Sequence, residues 1–192
     1  AKHELPQIKG NNGNITTLYC DNQNRLLAGL SSDMLCFSGD KITFCNLDQL
    51  SPVCITNIGE DSSLIATNSG FYLFAKGNTT KWKPKDIFDS VVAQCMTMSG
   101  TVLYIGTTER GIISYDLVTK NLKNYNTKNG LSSDFIYNIL KDENGSIWAG
   151  TGMGICKVST NEKGETKITV YGKANGVLGL ESNSNAAFAD SL

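Results

Sequence analysis

Histidine is nearly missing from this chain: His3, close to the N-terminus, is the only one in 192 residues. That scarcity excludes a His-based catalytic triad inside a folded core, a zinc-protease helix and a three-histidine metal site. Long apolar runs are also missing; none approaches the roughly 18–20 residues that span a bilayer as a helix. The opening AKHELPQIKG has no apolar core and is not a signal peptide. The chain as given therefore reads as soluble, with no direct membrane insertion. Charge is sparse, at 18% of residues, and 17 Lys+Arg against 18 Asp+Glu leave a net −1. The basic surplus of a nucleic-acid binder is not there. The six cysteines (Cys20, Cys36, Cys45, Cys54, Cys95 and Cys156) include no CxxC pair and no nearby His to complete a zinc set. Most lie in apolar stretches such as MLCF, ITFC and PVCI, where Cys behaves as a small buried hydrophobe. Six free thiols and no intrachain disulfide are predicted. Glycine, by contrast, is plentiful at 19 residues, the profile of many short strands and tight turns.

The strongest positive signal is self-similarity. The stretch Ile136–Gly150, IYNILKDENGSIWAG, aligns without a gap on Ile15–Gly29, Val53–Thr67 and Val92–Gly106. The copies begin 38, 39 and 44 residues apart. Leu26, Leu64, Leu103 and Ile147 recur at one position, followed by Leu27, Ile65, Tyr104 and Trp148. Each copy reads as an apolar strand, a polar turn (DNQN, GEDS, MSGT or DENG) and a second apolar strand ending in a small residue. Asn144-Gly145 predicts a type I′ hairpin, with φ positive at both positions. A third strand (MLCF, FYLF, IISYD, GICKV) and a fourth, closing on Phe44, Trp82, Tyr125 or Tyr171, complete the unit.

Four short antiparallel strands per roughly 40 residues is the period of a β-propeller blade. The fold class is thus all-β, a β-propeller of four-stranded antiparallel blades at approximately 14–46, 52–84, 91–127 and 135–172. An incomplete fifth unit is expected over 179–192, where Gly179–Asn183 echoes Gly130–Asp134, so the chain reads as an excerpt of a larger ring. In this scheme the innermost strand, packed on both sides, is nearly continuously apolar. Lys81, Lys83 and Lys85 mark a solvated outer edge that resists sheet-to-sheet pairing. Trp148 is expected to pack between adjacent blades near the core.

The fourth unit, GLSSDFIYNILKDENGSIWAGTGMGICKV, resembles the repeat of the two-component regulator propellers. Gly130, Leu131, Ser132, Ser133, Asp134, Asp142, Gly145, Trp148, Gly150, Thr151 and Gly154 carry the resemblance. Unit three keeps Ile105-Gly106-Thr107 and Gly111, unit one keeps Asp21 and Gly29 with Asp33 in place of the second glycine, and unit two keeps Gly70. WD-repeat propellers fit less well, since no GH or WD dipeptide recurs at blade period. The resemblance implies a periplasmic sensor region of a bacterial hybrid two-component histidine kinase. Such a region would recognise a glycan-type ligand or relay its binding to a kinase downstream. It implies no enzymatic activity and no cofactor in this region. The implied partners are an oligosaccharide and the downstream domains of the same receptor. Two alternatives stand beside this reading: a structural propeller docking neighbouring domains or a second protomer in a homodimer, and a propeller lyase or hydrolase. The scarcity of His argues against the last.

No nucleophile has a base beside it: Ser132-Ser133 has none, and Asp116, Asp134 and Asp142 are too far apart in sequence to form a carboxylate pair. Asp142, Glu143 and Asn144 lack the further oxygen ligands of a calcium loop, and a hairpin turn accounts for them. Thr151–Gly154 precedes no helix that could bind phosphate. The sequons at Asn14, Asn78 and Asn144 imply surface turns. Binding candidates therefore come from loops on one propeller face, those between second and third strands and those leading into each first strand. They are Asp33, Asn68, Glu109, Arg110, Asp134 and Met153, with Glu109 and Arg110 singled out as a charged one-residue insertion. No metal site is expected.

Overall fold

A computed structural model describes residues 14–161, 164–177, 179, 182–184 and 187. His3 lies outside them. The chain divides between Val91 and Val92 into two compact units, each built from two four-stranded antiparallel sheets in meander order.

The first unit holds β1 (Ile15–Cys20), β2 (Leu26–Leu30), β3 (Met34–Ser38) and β4 (Lys41–Cys45), then β5 (Pro52–Gly59), β6 (Ser62–Thr67), β7 (Gly70–Ala75) and β8 (Asn78–Lys81). Alternation sends side chains to opposite sheet faces. Leu27, Cys36 and Cys45 of the first sheet meet Ile55, Ile65, Tyr72 and Phe74 of the second around Leu47. The other face of the first sheet buries Ala28, Leu30 and Leu35 but leaves Leu18, Leu26 and Phe44 41–59% exposed. Polar contacts also bind the sheets, among them Asn57 N–H donating to the Tyr19 hydroxyl at 3.1 Å, the Thr16 hydroxyl donating to Pro52 O at 2.7 Å, and Arg25 pairing with Asp61 at 2.7 Å.

The second unit holds β9 (Ala93–Ser99), β10 (Val102–Thr107), β11 (Ile112–Asp116) and β12 (Leu122–Tyr125), then β13 (Ile136–Lys141), β14 (Ile147–Thr151), β15 (Gly154–Thr160) and β16 (Thr166–Tyr171). Tyr104, Ile112 and Tyr125 pack on Ile139, Ile147, Ala149, Cys156 and Val158. Gly106 lets the sheets close: a Cβ there would sit 2.5 Å from Cys95 Sγ and 2.6 Å from Ile136 Cγ2.

Several sequence expectations are corrected by the register. The most continuously buried strands are the second of each sheet, such as β6 and β10, while β1 is largely exposed. A second strand has neighbours along both edges as well as facing sheets; a first strand has a free edge. The ungapped alignment also slips in unit two. Ala66, not Thr67, is paired as Gly29 and Gly150 are, and Thr67 matches Thr107 and Thr151. The offset is uniform along the hairpin: Pro52 pairs with Thr67 as Ile15 pairs with Leu30 and Ile136 with Thr151, so the whole copy begins one residue earlier, at Pro52. At Asn144-Gly145 only the glycine has positive φ, and Gly145 N–H bonds back to Asp142 O, so the turn is not type I′. Trp148 is half-buried, its indole N–H donating to Asp142 at 2.9 Å, with Tyr171 stacked on it and Lys157 over its ring. Its counterparts Leu27 and Tyr104 lie under a following sheet; among the described residues no sheet follows β16. Gly176, not Gly179, stands where Gly130 does, because a 3-10 turn and a left-handed glycine recur at 127–130 and 173–176.

Five cysteines are buried, Cys20 is exposed, and all six are free thiols. Asn14, Asn78 and Asn144 are exposed.

Candidate functional site

In each unit one face is assembled by a repeated backbone frame. The turn between second and third strands donates to the segment leading into the next sheet's first strand, or to the one leading into its own. Asp33 N–H bonds Leu50 O, and Gly111 N–H bonds Asp134 O; Asn68 N–H bonds Ser51 O, and Gly152 N–H bonds Phe135 O. A left-handed residue makes that turn, Gly70, Gly111 or Gly154, and in the first sheet Asp33 at φ +85°. Asp tolerates this region better than most residues.

The six loop candidates fall into two groups, one per unit. Asp33 is buried, and its Oδ1 accepts Leu47 N–H at 2.7 Å and Gln49 N–H at 3.3 Å. Asn68 is exposed and accepts Ser51 N–H at 3.2 Å. In the second unit Asp134 is engaged by Thr127, backbone and hydroxyl, at 2.7 and 3.1 Å. Glu109 and Arg110 are exposed; the Arg110 backbone is held by Thr107 and Asn124. Among the described residues their two side chains form no ion pair with each other. Met153 projects into solvent, 63% exposed. Asp33, Asn68 and Asp134 are thus turn-building residues, while Glu109, Arg110 and Met153 offer free side chains. Asp142 likewise builds its hairpin: Ser146 N–H, the Trp148 indole and Lys157 occupy its oxygens. Among the described residues no group of three His, Cys, Asp or Glu could hold a metal ion.

Sequence reasoning missed a cleft of about 520 Å³ on this face of the first unit. Asp48 and Leu50 of the β4–β5 connection, Ser69 and Gly70 of the β6–β7 turn, and Tyr72 of β7 form one side. The other is Lys81-Trp82-Lys83 with Phe88 and Asp89. Trp82, half-buried, stands edge-on to Phe71 (6.0 Å) and Phe88 (5.1 Å), both fully buried. The Tyr72 hydroxyl donates to Asp48 at 2.8 Å, and Lys81 pairs with the same oxygen at 3.1 Å. Those two contacts, Tyr72 first, hold the Asp48 carboxyl below the usual carboxylate range. Burial, then the hydrogen bond to Asp48, pushes Tyr72 up to about 12. Lys83 pairs with Asp89, which raises its ammonium pKa. Asp48 and Gln49 are consecutive non-glycine residues at φ +56° and +63°, and Asp33 holds the amides on either side of Asp48. A Trp between lysines, followed by Pro84 and DIFD, was the available signal; it reads equally as a solvated edge.

The comparisons agree with this architecture. A model described as two component regulator propeller matches residues 130–153, which run from the Gly130 lead-in through β14 to the following turn. The fold is similar to the extracellular domain of the hybrid two component system BT4673 from B. thetaiotaomicron: TM-score 0.66 at 16% identity, covering 81% of this chain and 21% of that one. The corresponding domain of BT3049 from the same organism gives 0.64 at 17%, covering 83% and 25%. Virginiamycin B lyase from Staphylococcus aureus gives 0.61 at 12%, covering 80% and 54%. At these identities the likeness shows the fold alone, a β-propeller. The chain spans about a fifth to a quarter of the two-component domains it matches. No curated protein sequence matches it. Among the described residues no helix is long and apolar enough to cross a membrane, which says nothing of membrane β-barrels.

Proposed function

We propose that this chain is part of an extracytoplasmic, non-enzymatic sensor propeller of a hybrid two-component system, which recognises a glycan-type ligand or relays its binding to a histidine kinase downstream. The carrying observation is the regulator-propeller repeat over residues 130–153, whose Gly130–Asp134 lead-in and Thr151 help to build the loop face. Gly130 takes a left-handed φ of +117°, Leu131 is buried, Asp134 ties back to Thr127, and Thr151 Oγ1 bonds Gly154 O. Five buried thiols, with Cys45 and Cys95 both pushed up to about 12 by burial, suit an oxidising compartment because thiolate is the reactive form. The polar loops suit a hydroxyl-rich ligand, and a ligand signals only through different affinities for two receptor states.

The test is a reporter for kinase output in cells carrying the full-length protein, challenged with an oligosaccharide panel. One or more glycans should raise output, and the purified extracytoplasmic region should leave them uncleaved. Cleavage would establish the lyase or hydrolase alternative. Silence to every glycan, with a thermal shift caused by a partner protein, would establish the docking one.

A further inference from the structure

We infer that the cleft beside Trp82 in the first unit is a ligand site for a single uncharged ring bearing adjacent hydroxyls, of which a neutral pyranose is the plainest example. The inference rests on the sensor reading for its physiological meaning, but its chemistry comes from the cleft. The volume, about 520 Å³, lies within the roughly 300–1,000 Å³ of small-molecule sites. Its wall is the half-exposed indole of Trp82, held rigid by Phe71 and Phe88, a flat surface for the C–H face of a ring. Its rim carries two carboxylate–ammonium pairs, Asp48–Lys81 and Lys83–Asp89.

The balance of charge decides the class. Two aspartates against two lysines balance the residues that line the cleft, and Asp86, 3.7 Å from Lys83, lies outside the lining and fully in solvent, so neither an anion nor a cation gains a strong net attraction. Each pair offers an acceptor beside a donor, Asp48 and Lys81 being 3.1 Å apart, which matches neighbouring hydroxyl groups that must both give and receive hydrogen bonds. Charged partners make the stronger bonds of this kind.

The cleft is also preorganised. Asp48 sits in a left-handed turn that Asp33 fixes through the Leu47 and Gln49 amides. Tyr72, anchored in the core, orients the Asp48 carboxylate from the side away from solvent. Strain of this kind persists only where surrounding structure over-determines it, and it gathers at ligand clamps. Asp33 is therefore a positioning residue that acts through Asp48.

The experiment uses the intact protein labelled with 5-fluorotryptophan, the Trp82 resonance being assigned by its loss in Trp82→Phe. Neutral monosaccharides, a uronic acid and an amino sugar are titrated, with calorimetry alongside. A neutral sugar should shift the Trp82 resonance saturably. Asp48→Asn should weaken its binding tenfold or more with the thermal midpoint nearly unchanged, and Asp33→Asn should weaken it less. Saturable glycan binding that leaves Trp82 unmoved and survives Asp48→Asn would overturn this site while leaving the sensor reading intact. Preference for the uronic acid or the amino sugar would overturn the charge argument. Binding of no sugar, with reporter output also silent to every glycan, would remove both.

Discussion

Asp33, at the scale of single residues, shows how one side chain can be read as a contact and prove to be a brace. It takes the left-handed conformation that three glycines take elsewhere in the repeat, and uses its buried carboxylate to hold the next connection. Asp33→Gly should keep the backbone but lose both hydrogen bonds, costing on the order of 3–6 kcal/mol in a urea melt, since bonds to a charged acceptor are each worth about 1.5–3 kcal/mol. Asp33→Ala should cost more, because the left-handed strain is added. Trp148 runs the other way. Half-buried and without a described sheet beyond it, it should lose only about 1–2 kcal/mol on truncation to Ala, against the roughly 3–5 kcal/mol of a fully buried aromatic. The thiols give a third check. One fast-reacting thiol in native protein, Cys20, and six in denaturant without reductant are expected, because burial makes the others inaccessible and holds the Cys36, Cys45 and Cys95 thiols protonated. Fewer than six would reveal a disulfide.

At the scale of elements, each hairpin and each sheet contact has its own chemistry. Burial alone would raise the Asp142 pKa, but the Trp148 indole, Lys157 and Ser146 N–H outweigh it and bring the carboxyl down to about 2. A depressed carboxyl stabilises the fold above its unfolded pKa, near 4, and loses that contribution as pH falls through its folded value. A loss of about 1–2 kcal/mol between pH 4 and pH 2 is expected, reduced from the full linkage value for partial exposure, and it should vanish in Asp142→Asn. Sheet contact is tested at glycine. Gly106→Ala forces a Cβ against Cys95 and Ile136 and should cost about 1–3 kcal/mol, the usual range for overpacking. At Gly172→Ala nothing lies within 4 Å and φ is ordinary, so the change should stay within about 0.5 kcal/mol. Equal effects would mean that the β9–β13 approach is looser than described.

For the whole molecule, a net charge of −1 predicts passage through a DNA column at low salt without retention, since phosphate binding depends on a basic surplus; retention would overturn the reading of its charge. Strand count, sheet order and the glycine-bearing turns were legible in the sequence, because alternation, turn residues and small residues at close approaches are set by local sterics that repeat with each blade. The register in unit two was not: moving the frame by one residue leaves the apolar pattern almost unchanged yet reverses which face each side chain takes. The burial of Trp148 was not legible either, since it depends on what covers the sheet rather than on the strand that bears it. Least legible was the cleft. Asp48, Tyr72 and the adjacent Lys81 and Trp82 lie on three separate stretches, and as sequence each has an ordinary explanation as turn, core or edge. What joins them is a carboxylate held between a tyrosine hydroxyl and a lysine, a distance relation that only the packing of one sheet against the next creates.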